Sequence, residues 1–164
     1  MLPLHMPLSA ITTEGQGARG RFDKASQLTR SLTRGVCRML TKIGYGSLAE
    51  FRLPNRRRAD VLALGNGSEF IIVEVKSSLA DFRADKKWPD YAPYCDRFYF
   101  AVPESFPFDK LPRDCGYMIA DSYSAAIRRE AKGTPISALR RRHQILRFAL
   151  TASERLQRAT DPRV

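Results

Sequence analysis

Histidine is nearly missing from this chain. His5 and His143 are the only two in 164 residues, and they lie far apart. With no second imidazole in reach, a histidine-ligated metal or a histidine-activated nucleophile has little to build on. Cysteine is scarce as well. Cys37, Cys95 and Cys115 are odd in number, widely spaced and without a CxxC pair, which argues against a zinc ribbon or a disulfide framework and fits a reducing cytoplasm. No apolar run approaches the roughly 18 residues of a membrane span. The opening "MLPLHMPLSA" lacks the basic start and apolar length of a signal peptide. A P-loop, a GxGxxG turn and a GxSxG elbow are all absent, so nucleotide-hydrolase, dehydrogenase and α/β-hydrolase readings fall away.

Acidic residues are also in short supply. There are 17 Asp and Glu against 28 Lys and Arg, a net charge of +11. The imbalance is uneven: residues 1–59 carry +8, residues 60–127 carry −4 and residues 128–164 carry +7. An acidic centre between basic flanks suits a polyanion-binding protein with a cation site. Solvated surface arginines would give the same totals. A hydrophobic content of 43% at this length specifies one globular domain with a real core.

Residues 1–20, with Pro3, Pro7, Gly15, Gly17 and Gly20, read as a flexible tail ahead of a single domain over 21–164. From Asp23 to Ile43 the apolar residues follow helical spacing, closed by Gly44, and Arg30, Arg34, Arg38 and Lys42 form a basic stripe on another face. Strand patterns follow at 47–53, 59–65 and 69–76, the last two joined by a hairpin signal at Asn66-Gly67. Ser78 caps a helix expected to run through Lys87, and Pro89 opens a further turn to Tyr94. Then come strands at 97–103, 116–121 and 124–131, a proline-rich loop at 104–115, and a basic C-terminal helix from Pro135 to about Arg158. A helix between the third and fourth strands makes that pair parallel. The expected fold is therefore α/β in the α+β sense, a central mixed sheet flanked by helices.

The stretch "RRRADVLALGNGSEFIIVEVK" (56–76) concentrates the chemistry. The hairpin folds Asp60, near the start of one strand, back towards Glu74 at the end of the next. Glu74 and Lys76, two apart, share a face while Val75 turns to the core. Two carboxylates this close repel unless protonated or bridged by a cation. Oxygen ligands with open positions suit Mg²⁺ or Mn²⁺ together with a phosphate. The alternative is a salt-bridged strand end, which leaves the second carboxylate unexplained.

Asp60 followed by Glu74-Val75-Lys76 on consecutive strands resembles the PD-(D/E)XK nuclease signature, with Ala59 in place of the motif's Pro. Together with "TRGVCRML", "IIVEVKSSLADFRADKKWPDY" and "YCDRFYFAVP", it is similar to the MmcB-like family of bacterial DNA repair proteins over roughly residues 25–155. The resemblance implies a restriction-endonuclease-like fold and metal-dependent phosphodiester hydrolysis in DNA repair. It would make Asp60, Glu74 and Lys76 catalytic. Asp60, Glu74 and the Val75 carbonyl would hold Mg²⁺ or Mn²⁺, with Glu50 the nearest substitute for the acidic residue that many such nucleases carry on their first helix.

Ser77, Asp81, Lys86 and Trp88 would stand behind the site. Arg30, Arg34, Arg38, Arg56, Arg57, Arg58, Arg140, Arg141 and Arg142 would bind DNA, selected by structure rather than sequence. A nucleoid-associated location and a homodimer are compatible with this reading. Its rival is a catalytically weak or inactive DNA-binding scaffold of the same fold. An RNA-directed nuclease is a third option, since phosphate contacts do not distinguish the sugars.

Overall fold

A computed structural model describes residues 14–161 and residue 163. Among them the chain forms helix α1 (Glu14–Lys42), strands β1 (Gly46–Arg52), β2 (Arg58–Leu64) and β3 (Phe70–Val75), and helix α2 (Leu79–Ala84). A 3₁₀ turn (Trp88–Tyr94), β4 (Arg97–Val102), β5 (Gly116–Ala120), β6 (Ala125–Arg129) and α3 (Ala138–Thr160) follow. The strands lie side by side in sequence order, β3–β4 and β4–β5 parallel and the other pairs antiparallel. The mixed, helix-flanked α+β sheet expected from the sequence is what the chain builds. The second parallel pair was not foreseen; residues 103–115 carry the chain back across the sheet as a loop with one short 3₁₀ turn.

Three layers result. On one face the stripe Leu32, Val36, Met39 and Leu40 of α1 packs on Val61, Ala63, Ile71, Val73 and Val75. On the other, Phe51, Leu62, Phe70 and Ile72 meet Tyr91 of the 3₁₀ turn and Phe148 of α3. Gly35 lets α1 approach closely: a Cβ there would stand 2.0 Å from the Asp121 carbonyl oxygen in the β5–β6 turn. Gly44, at φ +90°, takes the left-handed conformation that ends the helix, with the Tyr45 amide donating to the Leu40 carbonyl at 2.9 Å.

Two expectations need correction, the start of α1 and the end of α2. Helix α1 begins at Glu14, so residues 14–20 belong to it rather than to a tail; residues 1–13 lie outside the described residues. Once nucleated on the sheet, a helix extends at one hydrogen bond per added residue, and the glycines there are tolerated. The β2–β3 hairpin turns at Asn66-Gly67 as expected, with the following Ser68 left-handed (φ 65°) and the Gly65 amide donating to the Glu69 carbonyl. Helix α2 stops at Ala84 instead of Lys87. Asp85 leaves the helix in an extended conformation, which the ion pair described below explains.

Candidate active site

The β2–β3 ladder ends at Val61 opposite Val73. One step on, Asp60 and Glu74 would be the next pair, and their side chains take over from the backbone. The Asp60 amide donates to Glu74 Oε1 at 3.1 Å, and the Val75 amide donates to Asp60 Oδ2 at 2.8 Å. Each carboxylate thus caps the other's strand. On the opposite side of β2, Ala49 pairs with Val61 and Phe51 with Ala59, but the intervening Glu50–Asp60 pair is skipped. Glu50 is held at φ +49°, a conformation that non-glycine residues rarely adopt. Arg155 of α3 stabilises this distortion, its guanidinium donating to the Ala49 carbonyl at 2.6 Å and the Glu50 carbonyl at 3.1 Å. The usual alternation of faces breaks at this point: Val61 packs towards α1, Ala59 towards the opposite layer. Asp60, between them, lines a cleft of ≈ 1220 Å³ shared with Lys24, Arg30, Arg34, Glu50 and Arg155.

Glu74 is only 3% exposed and Lys76 only 5%. Burial, and then the Asp60 carboxylate beside it, pushes the Glu74 carboxyl up to about 8. Burial likewise raises Asp60 above the ordinary carboxylate value. Both shifts share one cause, the placing of two carboxyl groups in a poorly solvated corner, and at Glu74 the Asp60 charge adds to it. A single ammonium faces them. Lys76 Nζ lies 3.7 Å from Glu74 Oε2 and 2.5 Å from Asp85 Oδ2. Burial works to lower the Lys76 pKa, but the hydrogen bond that its ammonium donates to Asp85 and the charges of Glu74 and Asp85 outweigh it, and the net direction is upward. Asp85 is in turn fixed by the Lys87 amide at 2.8 Å.

Asp85 is the site residue that sequence reasoning passed over. Four residues after Asp81, it departs from the helix to reach Lys76. The other expected supports fall as follows. Asp81 Oδ2 accepts from the Ser77 amide at 3.0 Å and its hydroxyl at 3.3 Å, bracing the turn after β3. Trp88, half-buried, packs against Phe98 and Phe100 at the edge of the core, its ring centroid 5.7 Å from each. Lys86 is exposed.

The arginines divide into two groups. Arg30 and Arg34 line the Asp60 cleft, and Arg56 and Arg142 are exposed. The rest hold internal partners: Arg38 the Ser122 carbonyl, Arg57 the Asp90 carboxylate, Arg58 Glu50 at 3.5 Å, and Arg140 the Pro93 carbonyl. Arg141 is a correction. Expected on phosphate, it instead forms a two-pronged bond to Asp96, at 2.8 and 2.6 Å, while Asp96 also accepts from the Phe70 and Ile136 amides. That guanidinium is committed to the fold.

The donor set suits a hard divalent cation. One oxygen of Asp60 and one of Glu74 hold backbone amides, which orients the carboxylates and leaves Asp60 Oδ1 and, facing Lys76 at 3.7 Å, Glu74 Oε2 without a hydrogen bond. A cation between them would offset the burial that raises both pKa values and the Asp60 charge that adds to the shift at Glu74. Among the described residues no cluster of three or more His, Cys, Asp or Glu side chains is arranged for metal. The two carboxylates and the Val75 carbonyl at the end of β3 are the oxygen groups here that could hold a cation.

The model of DNA repair proteins described as MmcB-like matches residues 19–163. The chain belongs to the MmcB-like family of DNA repair proteins. Among solved structures, SPO1766 from Silicibacter pomeroyi, titled a protein of unknown function, is 43% identical, covers 83% of this chain and 93% of its own, and superposes with a TM-score of 0.81. A repair endonuclease from Pyrococcus abyssi is 12% identical over 71% of this chain and 50% of its own, with a TM-score of 0.34, too distant to carry an argument. No curated protein matches. No described helix of this MmcB-like protein is long and apolar enough to cross a membrane.

Proposed function

We propose that this chain is a divalent-cation-dependent DNA nuclease of the restriction-endonuclease-like PD-(D/E)XK type, selecting DNA by structure rather than sequence. The observation that carries the reading is the pairing of Asp60 with Glu74 across the parted ends of β2 and β3, beside a buried lysine. Asp60, Glu74 and the Val75 carbonyl would hold Mg²⁺ or Mn²⁺, which when bound supplies Lewis-acid polarisation of a phosphoryl oxygen.

The protein's own groups do the rest. Lys76, fixed by Asp85, keeps an ammonium where a water and the developing phosphorane charge would lie. Lys24, Arg30 and Arg34 line the Asp60 cleft and give a strand's phosphates opposite charge. Hydrolysis then forms one P–O bond from water and breaks the bridging P–O bond, whose oxygen takes up a proton.

A second reading, a DNA-binding protein without catalysis, is favoured by the backbone bonds of both carboxylates, which give them a structural use. The deciding experiment incubates purified protein with Mg²⁺ or Mn²⁺ and a panel of single-stranded, duplex, flap and junction DNAs, with Asp60→Asn as control. Cleavage that Asp60→Asn removes supports the nuclease; tight binding with no cleavage of any substrate supports the second reading.

A further inference from the structure

A second cleft, of ≈ 310 Å³, opens between the start of α3, the end of the 3₁₀ turn and the β1–β2 turn. It shares no lining residue with the cleft that holds Asp60. Pro54, Tyr94 and Leu139 give it apolar walls, and Arg140 and Arg147 give it two guanidiniums. Both arginines are already oriented. Arg140 donates to the Pro93 carbonyl and stands 5.4 Å above the centre of the Tyr94 ring, and Arg147 donates to the Arg52 carbonyl. Each keeps further N–H donors.

Gln144, also lining the cleft, is 2% exposed. Its Nε2 is spent on the Tyr94 carbonyl, which fixes the amide's orientation. Its Oε1 is the one buried side-chain polar atom without a partner among the described residues. A buried acceptor is costly to leave unmatched, and such an atom in a cationic pocket marks a place for a donor-bearing ligand.

We infer that this cleft binds a single phosphorylated nucleotide unit. The phosphate would meet Arg140 and Arg147, the base would lie against the apolar walls, and an N–H of the base would donate to Gln144 Oε1. Every nucleobase carries such a donor, as an exocyclic amine or a ring N–H, so one acceptor accommodates any of them. The volume sits at the small end of ligand pockets, the scale of one nucleotide rather than a duplex. The inference rests on the proposed DNA reading and adds to it a holding point for an unpaired nucleotide, remote from the carboxylate pair.

The test uses the full chain without divalent ions and titrates deoxyadenosine monophosphate, deoxyadenosine and a short 5′-phosphorylated single strand by calorimetry. Two variants accompany the wild type. Leu139→Glu changes a residue that is 66% exposed, so the fold is spared while an anion is set at the pocket wall. Gln144→Met removes the acceptor, with its melting temperature recorded alongside.

The monophosphate or the phosphorylated strand should bind, deoxyadenosine much less, and each variant should lose about tenfold in affinity. Binding of the monophosphate alone would identify a free nucleotide as the source, and binding of the strand a DNA end. Absence of binding up to on the order of 1 mM, or wild-type affinity in Leu139→Glu, overturns the inference. The two readings fail separately. Variant-sensitive nucleotide binding without cleavage of any DNA removes the nuclease and keeps this pocket; cleavage with variant-insensitive binding does the reverse.

Discussion

Replacing Lys76 by Met tests whether the buried ammonium is held as an ion pair or is merely tethered at a strand end. The methionine keeps most of the volume and removes the charge. Losing one partner of a buried pair costs about 3–5 kcal/mol when the other charge stays buried. Here the Asp85 side chain is 18% exposed, so it can partly rehydrate, and the expected loss is about 2–3 kcal/mol. At this chain length that corresponds to a fall in melting temperature of about 5–10 °C. Asp85→Asn should cost less, because Lys76 keeps Glu74 at 3.7 Å. The double variant should be more stable than the sum of the two losses implies, since the second change no longer breaks an intact pair.

Urea unfolding of the two single variants and the double variant measures that coupling. Cleavage per folded molecule should drop by about 10²–10³ in Lys76→Met and far less in Asp85→Asn. A melting point within about 1 °C of wild type, or strict additivity in the cycle, would refute the pairing on which this reasoning depends.

If about six arginines and lysines meet phosphates, log K for duplex DNA should fall with log salt at a slope of roughly −5; a slope near zero removes nucleic acid as the partner. Asp60→Asn and Glu74→Gln should each weaken Mg²⁺ or Mn²⁺ binding in calorimetry, and unchanged binding in both would place the cation elsewhere. Arg34→Ala should weaken DNA binding and leave the melting point near wild type, whereas Arg141→Ala should lower the melting point without a specific loss of DNA affinity per folded molecule.

Acid should act through Asp96. Burial works to raise its pKa, but the Arg141 guanidinium and the Phe70 and Ile136 amides more than offset this and hold it below the ordinary 3.8. Its contribution is therefore present above that value and lost as pH falls through the lower folded value, so Asp96→Asn should flatten the acid limb of a melting-point profile. An unchanged limb would exclude Asp96 as the group responsible.

Much of this was readable in the chain. Helical spacing from Leu28 to Ile43 and the alternating and apolar runs of β2 and β3 located the layers that bring Asp60 to Glu74, and the hairpin between them set the register. What escaped is of one kind, a side chain reaching a partner that no local pattern announces. Asp85 had helical spacing with Asp81, yet the pull of a buried ammonium overrode helix propensity and ended α2 early. Arg141 sat among three consecutive arginines that look alike in sequence, and only the position of Asp96 separates it from Arg142. Arg155 and the left-handed Glu50 form a contact between residues more than a hundred positions apart. Gly35 is of a different kind: it makes room for the β5–β6 turn, which presses on the helix there.

The Asp96 junction also bears on how the chain is made. Its carboxylate lies at the start of β4 and receives bonds from residues 70, 136 and 141. A ribosome delivers the carboxylate and the Phe70 amide well before it delivers the guanidinium. Until Arg141 emerges, a nascent chain that has already formed its sheet holds an unpaired anion near its centre, with the face awaiting α3 bare. The junction therefore acts as a late latch. Closure of the domain waits for α3, and until that helix docks, the apolar face it covers stays open to water and to other chains.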